Sequence, residues 1–93
     1  MNALSRLPRL SLPAQQDIRC LIACARSKAM RDRLVQAIEH ARHKLMEYPD
    51  IGIERGSPGE RHLIVAKLIV VVYRIGRDGD IEVSRIIRAG SDY

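Results

Sequence analysis

The stretch LIVVVYRI, residues 68–75, decides the fold of this 93-residue chain. It alternates in strand fashion and is apolar on both faces. One face carries Ile69, Val71 and Tyr73, and the other carries Leu68, Val70 and Val72. A strand of this kind is typical of the centre of a sheet that is covered at least partly on both sides. The surrounding sequence must therefore supply neighbouring strands and a layer of helix.

Two further segments have strand character. Residues 62–66 are mostly aliphatic, with Lys67 between them and the central strand. After the central strand, the turn at residues 77–80 predicts a hairpin, because Gly79 is available for a positive φ. Residues 81–88 then alternate between an apolar and a polar face, which predicts a strand with one face in water. The expected inward residues are Ile81, Val83 and Ile87, and the expected outward residues are Glu82, Ser84 and Arg88.

Upstream, apolar residues recur at helical spacing and predict a helical hairpin over residues 14–48. The two stripes comprise Ala14, Ile18, Leu21, Ile22 and Ala25, and then Met30, Leu34, Ala37, Ile38, Ala41, Leu45 and Tyr48. A break at Ser27–Lys28 separates them, and Pro49 ends the second. Pro13 suits the first turn of a helix, with Ser11 available as its cap.

These elements predict one α+β domain over residues 1–93: a helical hairpin packed on a small antiparallel sheet, in the order (β)ααβββ. Residues 1–13 form an N-terminal arm, in which Pro8 restricts any strand to a sheet edge. Residues 49–60 are rich in proline and glycine and predict a loop. Residues 61–93 form the sheet and tail.

Composition narrows the classes of function. Apolar residues make up 46% of the chain and charged residues 29%, which is ordinary for a soluble globular protein. The chain has three tyrosines but neither phenylalanine nor tryptophan, so the core must be aliphatic. No aromatic platform for single-stranded nucleic acid can be assembled from this inventory. Residues 2–13 lack the apolar core of a signal peptide, and the apolar run 63–73 is too short to cross a bilayer, so we expect a cytoplasmic protein.

Positive charge is concentrated in the first half of the chain. Residues 1–48 contain nine basic and four acidic residues, whereas residues 49–93 contain seven of each. Arg19 and Arg26 lie seven positions apart and share one side of the first helix. We interpret this basic surface as a solvated face or a docking site for an acidic protein segment, in preference to a nucleic-acid footprint.

No metal or cofactor site is predicted. Cys20 and Cys24 lie one helical turn apart, where they do not converge on disulfide geometry, and as a metal pair they lack two further ligands. We interpret them as free thiols at a contact surface. His40, His43 and Glu47 lie off the apolar stripe and are interpreted as a solvated face.

The run LMEYPDIG, residues 45–52, closes the second predicted helix. Other segments accompany it in order: Pro13-Ala14 and Asp17-Ile18 before it, and Val72-Tyr73-Arg74, Asp78-Gly79 and residues 81–87 after it. Together, across residues 5–92, they resemble ParE-like toxins of the RelE/ParE superfamily. The resemblance implies a RelE/ParE-like fold and the toxin component of a type II toxin–antitoxin system, of the kind that serves plasmid stabilisation. It also implies a cognate antitoxin and a hetero-oligomer of even stoichiometry, such as a heterotetramer.

The superfamily divides by chemistry. RelE-like members cleave messenger RNA on the ribosome, and ParE-like members inhibit DNA gyrase without known catalysis of their own. Here Val70 and Ser91 stand where the cleaving branch has arginines, so the resemblance implies a gyrase inhibitor and no enzyme. Nearby basic residues, including Lys67, do not match those positions, and Tyr93, a conceivable proton donor, does not match one either. A ribosome-dependent mRNA endonuclease of the RelE type is kept as the alternative function.

The tail departs from the family pattern. Arg88 and Ser91 replace a histidine and an arginine, whereas Asp92 is kept. A non-toxic homologue that only binds an antitoxin therefore stays open as an alternative. The candidate toxicity determinants are Arg61, Arg74, Arg85, Arg88 and Asp92.

The central strand also indicates where an antitoxin would bind. One helical hairpin covers a single face of the sheet, so an antitoxin segment is expected to cover the other and to meet the basic helices. The predicted antitoxin-binding residues are Arg19, Arg26, Leu68, Val70 and Val72.

Overall fold

A computed structural model describes residues 7–90, and within them two helices pack on a five-stranded sheet. The elements are β1 (Arg9–Leu10), α1 (Leu12–Ala23), α2 (Lys28–Glu47), β2 (Ile53–Glu54), β3 (Glu60–Val65), β4 (Ile69–Ile75) and β5 (Ile81–Arg88). The α+β class and the helical hairpin are confirmed. Neither helix of the described residues is long and apolar enough to span a bilayer.

The sheet is mixed, with strand order β1-β5-β4-β3-β2. The expectation of an antiparallel sheet is wrong at its edge, because β1 runs parallel to β5, with Arg9 opposite Glu82. The other pairs are antiparallel. The loop predicted over residues 49–60 contains β2, which pairs with residues 61–62 of β3. A two-residue strand carries no periodic signal, which is why the sequence did not indicate it.

Serine side chains cap both helices. The Ser11 Oγ accepts a hydrogen bond from the Ala14 N–H at 3.1 Å and donates one to the Ser84 carbonyl at 2.8 Å. The cap therefore also fixes the start of α1 against β5. The Ser27 Oγ accepts from the Met30 N–H at 3.1 Å at the start of α2. At the other end of α2, Tyr48 lies outside the helix and is 54% exposed, so its assignment to the apolar stripe is wrong.

The core fills the space between the helices and one face of the sheet. Tyr73 is fully buried and is the largest of the fully buried side chains. The buried residues of this core are Ala14, Leu34, Ala37, Ile38, Ala41 and Leu45 from the helices, and Val65, Ile69, Val71, Tyr73, Ile81, Val83 and Ile86 from the sheet. The set is aliphatic apart from Tyr73, as the composition requires.

A β-bulge corrects the predicted faces of β5. Val72 lies opposite Arg85, but Tyr73 lies opposite Val83, so Ser84 is an extra residue in the ladder. The Ser84 Oγ donates a hydrogen bond to the Val72 carbonyl at 3.1 Å. Because one extra residue reverses the facing of everything beyond it, Ile86 enters the core and Ile87 does not, contrary to the prediction.

The β3–β4 turn corrects the position of Leu68. Ala66 and Lys67 both have a φ of 55°, and the Leu68 N–H donates to the Val65 carbonyl at 2.9 Å. Leu68 therefore precedes β4 and does not share a strand face with Val70. Its side chain packs against the core instead.

Candidate functional site

An apolar groove of about 500 Å³ lies where the end of α1, the start of α2 and the end of β5 meet. Its apolar lining includes Leu21, Ala25, Met30, Leu34, Leu68 and Ile86. Charged and nucleophilic side chains of Asp17, Cys20, Cys24, Arg26 and Arg88 also line it. Below, this feature is called the hairpin groove.

A second depression adjoins the hairpin groove, because Leu68 lines both. It measures about 430 Å³ and runs beside α2, where Arg33 and His40 contribute to its lining. Leu68 thus lies between two concave surfaces that are each bordered by basic or titratable side chains. An extended or helical segment could follow this path from the hairpin groove along α2.

The structure brings together only part of the predicted antitoxin-binding set. Arg26 and Leu68 line the hairpin groove, whereas Arg19 is exposed on α1 outside its lining. Val70 and Val72 lie on the opposite face of the sheet. Val72 is only 1% exposed in the isolated chain, and Val70 is half-buried. The expected bare apolar face of Leu68, Val70 and Val72 is therefore not present as one surface.

That opposite face is organised in rows across β3, β4 and β5. Ile64, Val70 and Ile87 are cross-strand neighbours and form an apolar row. The next row places Val72 between His62 and Arg85. The longer side chains of His62 and Arg85 flank Val72, so a partner could contact very little of the Val72 side chain.

Asp17 joins α1 to the edge of β5. Its carboxylate accepts hydrogen bonds from the Arg85 Nε at 2.7 Å and Nη2 at 2.9 Å, and from the Ile86 N–H at 2.9 Å. The hydrogen bond from Arg85 holds the pKa of Asp17 below its usual value, against the opposing effect of partial burial. The pair occupies the edge of β5 beyond the short β1, so it protects that edge from pairing with another chain.

Tyr73 holds the turn that follows α2. Its Oη donates to the Pro49 carbonyl at 2.8 Å and accepts from the Gly52 N–H at 2.8 Å. The Arg61 Nη1 donates to the carbonyls of Gly52, at 2.7 Å, and Asp50, at 3.2 Å. Burial raises the pKa of Tyr73, although the hydrogen bond from Gly52 acts in the opposite direction. The hydroxyl is therefore a buried structural group and is not available to a substrate.

The other candidate toxicity determinants have varied surroundings. The Arg74 Nη1 donates to the Pro58 carbonyl at 2.8 Å, and its Nη2 lies 3.7 Å from a Glu60 carboxylate oxygen. Glu60 also lies 2.9 Å from the His62 ring. Arg61, Arg74 and Arg85 are thus engaged within the fold, whereas Arg88 lines the hairpin groove. Asp92, Ser91 and Tyr93 lie outside the described residues.

Residues 7–90 contain no group of three or more His, Cys, Asp and Glu side chains placed to hold a metal ion. His40 and His43 are both exposed on α2. Cys20 and Cys24 are free and exposed. Their position in the hairpin groove was not predicted, because it depends on how α1 packs against β5.

Comparison with known proteins identifies the family. The family described as the ParE toxin of the type II toxin–antitoxin system parDE matches residues 9–93. The chain is also similar to a solved structure of the chromosomal ParDE system from P. aeruginosa, with a TM-score of 0.69 and 18% sequence identity, covering 94% of this chain and 99% of that one. No curated protein matches it. At 18% identity the solved structure shows the fold alone, but the family match spans nearly the whole chain. The chain therefore belongs to the ParE toxin family of type II toxin–antitoxin systems.

Proposed function

We propose that this chain is a toxin that acts by binding protein, inhibits DNA gyrase, and is neutralised by a cognate antitoxin seated in the hairpin groove. The observation that carries the antitoxin site is the groove itself, an apolar concavity with Arg26 and Arg88 in its lining. The gyrase target is the one that the ParE resemblance implies. Action on gyrase would take place in the cytoplasm.

The groove suits an amphipathic, acidic segment. Apolar side chains of such a segment would be removed from water against Met30, Leu34 and Leu68, each contributing on the order of 1.5–3 kcal/mol if fully buried. Carboxylates on its flanks would lie near Arg26 and, along α2, near Arg33. Charge complementarity of this kind raises the association rate more than the final affinity. A basic, apolar path therefore favours an acidic antitoxin over nucleic acid.

Two features of the described residues support binding over ribonuclease chemistry. Val70, at a position where the cleaving branch has an arginine, is a half-buried aliphatic residue. Tyr73, the one tyrosine of the central strand, is fully buried and its hydroxyl already has two backbone partners. Stabilising a cleavage transition state needs hydrogen-bond donors and acids placed at the scissile phosphate, and neither Val70 nor Tyr73 supplies one.

The decisive experiment is a supercoiling assay with purified gyrase and the purified chain. We expect inhibition that disappears when the cognate antitoxin is added. Primer extension on cellular transcripts after induction is the parallel measurement. Cuts at codon spacing would instead assign the chain to the RelE-like branch, and normal growth without gyrase inhibition would leave a non-toxic, antitoxin-binding homologue.

A further inference from the structure

Both cysteines lie in the lining of the hairpin groove. Cys20 and Cys24 are free and exposed; Cys20 lies in the last turn of α1 and Cys24 caps the end of that helix, and Leu21, which lies between them in the sequence, also lines the groove. Neither is required by the core, whose residues lie elsewhere on the helices. The antitoxin proposal also does not need them, since any small side chain would serve. Their presence in a concave site is therefore unexplained by the fold.

The charge around the two thiols is positive. Asp17, the acidic residue of the groove lining, is neutralised by the two hydrogen bonds from Arg85. Within residues 7–90, Arg26 and Arg88 form no ion pair with a carboxylate. Both thiols are exposed, so a reagent in solution can reach them. The charges of Arg26 and Arg88 raise the local concentration of anionic reagents.

The spacing of the two cysteines disfavours a disulfide between them. Side chains four residues apart on a helix have Cβ atoms roughly 5–6 Å apart. A disulfide needs a Cβ separation of about 3.5–4.5 Å. We therefore expect each thiol to react with an external partner.

We propose that Cys20 and Cys24 form a modification site for small disulfides that carry carboxylates. The thiolate of either cysteine attacks one sulfur of the reagent, whose sulfur–sulfur bond breaks as the new one forms. The released thiolate takes up the proton that the cysteine lost, so the exchange needs no further oxidant. Arg26 and Arg88 bind the reagent's carboxylates, and a cavity of about 500 Å³ lies within the size range of small-molecule sites.

Modification would exclude an antitoxin segment from the groove, a consequence that rests on the proposed function. The adduct would occupy the volume that the segment needs and would place negative charge beside Arg26 and Arg88. The modification site itself does not depend on that function and can be tested on the toxin chain alone.

The test compares an anionic reagent, glutathione disulfide, with a neutral one, 2-hydroxyethyl disulfide, and follows adduct formation by intact mass. The measured quantity is the second-order rate constant for glutathione disulfide divided by that for 2-hydroxyethyl disulfide. In the variant Arg26→Gln/Arg88→Gln, we expect this ratio to fall at least about threefold, and the fall to shrink at high salt. The control variant Arg55→Gln/Arg77→Gln removes the same charge from exposed positions outside the groove and should retain the wild-type ratio.

Single-cysteine variants complete the test. Cys20→Ser and Cys24→Ser should each accept one adduct, reversible by dithiothreitol, with unchanged circular dichroism. An unchanged ratio in the groove variant, or an equal fall in the control, would overturn the proposal. Either result leaves gyrase inhibition and antitoxin binding untouched, so the two proposals fail separately.

Discussion

The phenolic oxygen of Tyr73 lies 2.8 Å from the backbone nitrogen of Gly52, and a side chain at position 52 would collide with it. A Cβ built on Gly52 would lie 2.7 Å from the Tyr73 Oη and 3.0 Å from the His62 carbonyl oxygen. The glycine of the YPDIG run is therefore needed because the chain passes directly over a buried tyrosine. Two segments of the family resemblance, residues 45–52 and residues 72–74, are thus one structural unit.

We predict that Tyr73→Phe lowers the free energy of unfolding by about 1–3 kcal/mol, because the substitution leaves the Gly52 N–H and the Pro49 carbonyl without their partner. Tyr48→Phe is the matched control, since Tyr48 is 54% exposed and should change stability little. Urea denaturation of both variants measures the difference. Equal effects would show that the buried hydroxyl has no special role.

The same variant separates a structural role of Tyr73 from a role in gyrase inhibition. If Tyr73 serves only the fold, Tyr73→Phe should still inhibit gyrase at temperatures where circular dichroism shows it folded. A folded variant without activity would contradict the structural assignment and would show that Tyr73 has a role in toxicity.

Asp17 should make stability depend on pH in the acid range. Because its pKa is lowered in the folded state, the carboxylate stabilises the protein at pH values above its unfolded pKa of about 3.9. This contribution is lost as the pH falls through the folded pKa. The stability gap between wild type and Asp17→Asn should therefore be constant above about pH 5 and close below about pH 4.

Urea titrations at several pH values measure that gap. Asp32→Asn is the control, because the ion pair between Asp32 and Lys28 is exposed and adjacent along one helix. Such pairs contribute roughly 0.3–0.5 kcal/mol, so the difference in free energy of unfolding between wild type and Asp32→Asn should be small at every pH. A gap for Asp17→Asn that widens towards low pH would have the wrong sign and would refute this role.

The β3–β4 turn stores strain that a glycine would relieve. Lys67 has a φ of 55°, in the left-handed region that residues other than glycine adopt at a cost of roughly 1–2 kcal/mol. After the larger unfolded-state entropy of glycine is subtracted, Lys67→Gly should raise stability by about 0.5–1 kcal/mol. Gly79→Ala is the reciprocal control, since Gly79 has a φ of 86° with open space around it and should lose stability. A loss in Lys67→Gly would contradict the turn conformation.

Local patterns predicted most of the elements. The helices followed from apolar spacing and the start of α1 from Ser11, because amphipathic periodicity and capping act within a few residues. The bulge at Ser84 could not be predicted in this way, because the hydrophobic pattern of β5 does not mark the extra residue. As a result of the bulge, Ile86 occupies the core where Ile87 was predicted. Leu68 was misplaced for a similar reason: Ala66 and Lys67 are not the asparagine and glycine that mark such turns.

The lining of the hairpin groove depends on tertiary packing, which is why the predicted antitoxin-binding set contains only part of it. Arg26 and Leu68 were chosen for charge and for position in an apolar run, and both line the hairpin groove. Cys24 and Met30 lie near Arg26 along the chain, but Leu68 joins the three only when the helices pack against the sheet. No spacing in the sequence brings these four residues together.

The last prediction decides between the hairpin groove and the opposite face of the sheet as the antitoxin site. Met30→Glu places a carboxylate in the groove, where it would be buried against an apolar segment and repel an acidic one. We expect it to weaken antitoxin binding at least about tenfold, a change of about 1.4 kcal/mol. Val70→Asp places the same charge in the row of Ile64 and Ile87 and should have the smaller effect.

Binding of the cognate antitoxin, measured by calorimetry at two salt concentrations, tests both variants. Arg26→Ala should reduce the salt dependence more than Arg19→Ala, because only Arg26 lines the groove. Val35→Asp is the control for a charge outside both surfaces, since Val35 is 45% exposed on α2 and lines neither depression. If folded Val70→Asp loses binding while Met30→Glu retains it, the antitoxin covers the sheet and the groove assignment is wrong. The prediction from the central strand, that an antitoxin segment covers the sheet face of Val70 and Val72, would then be correct.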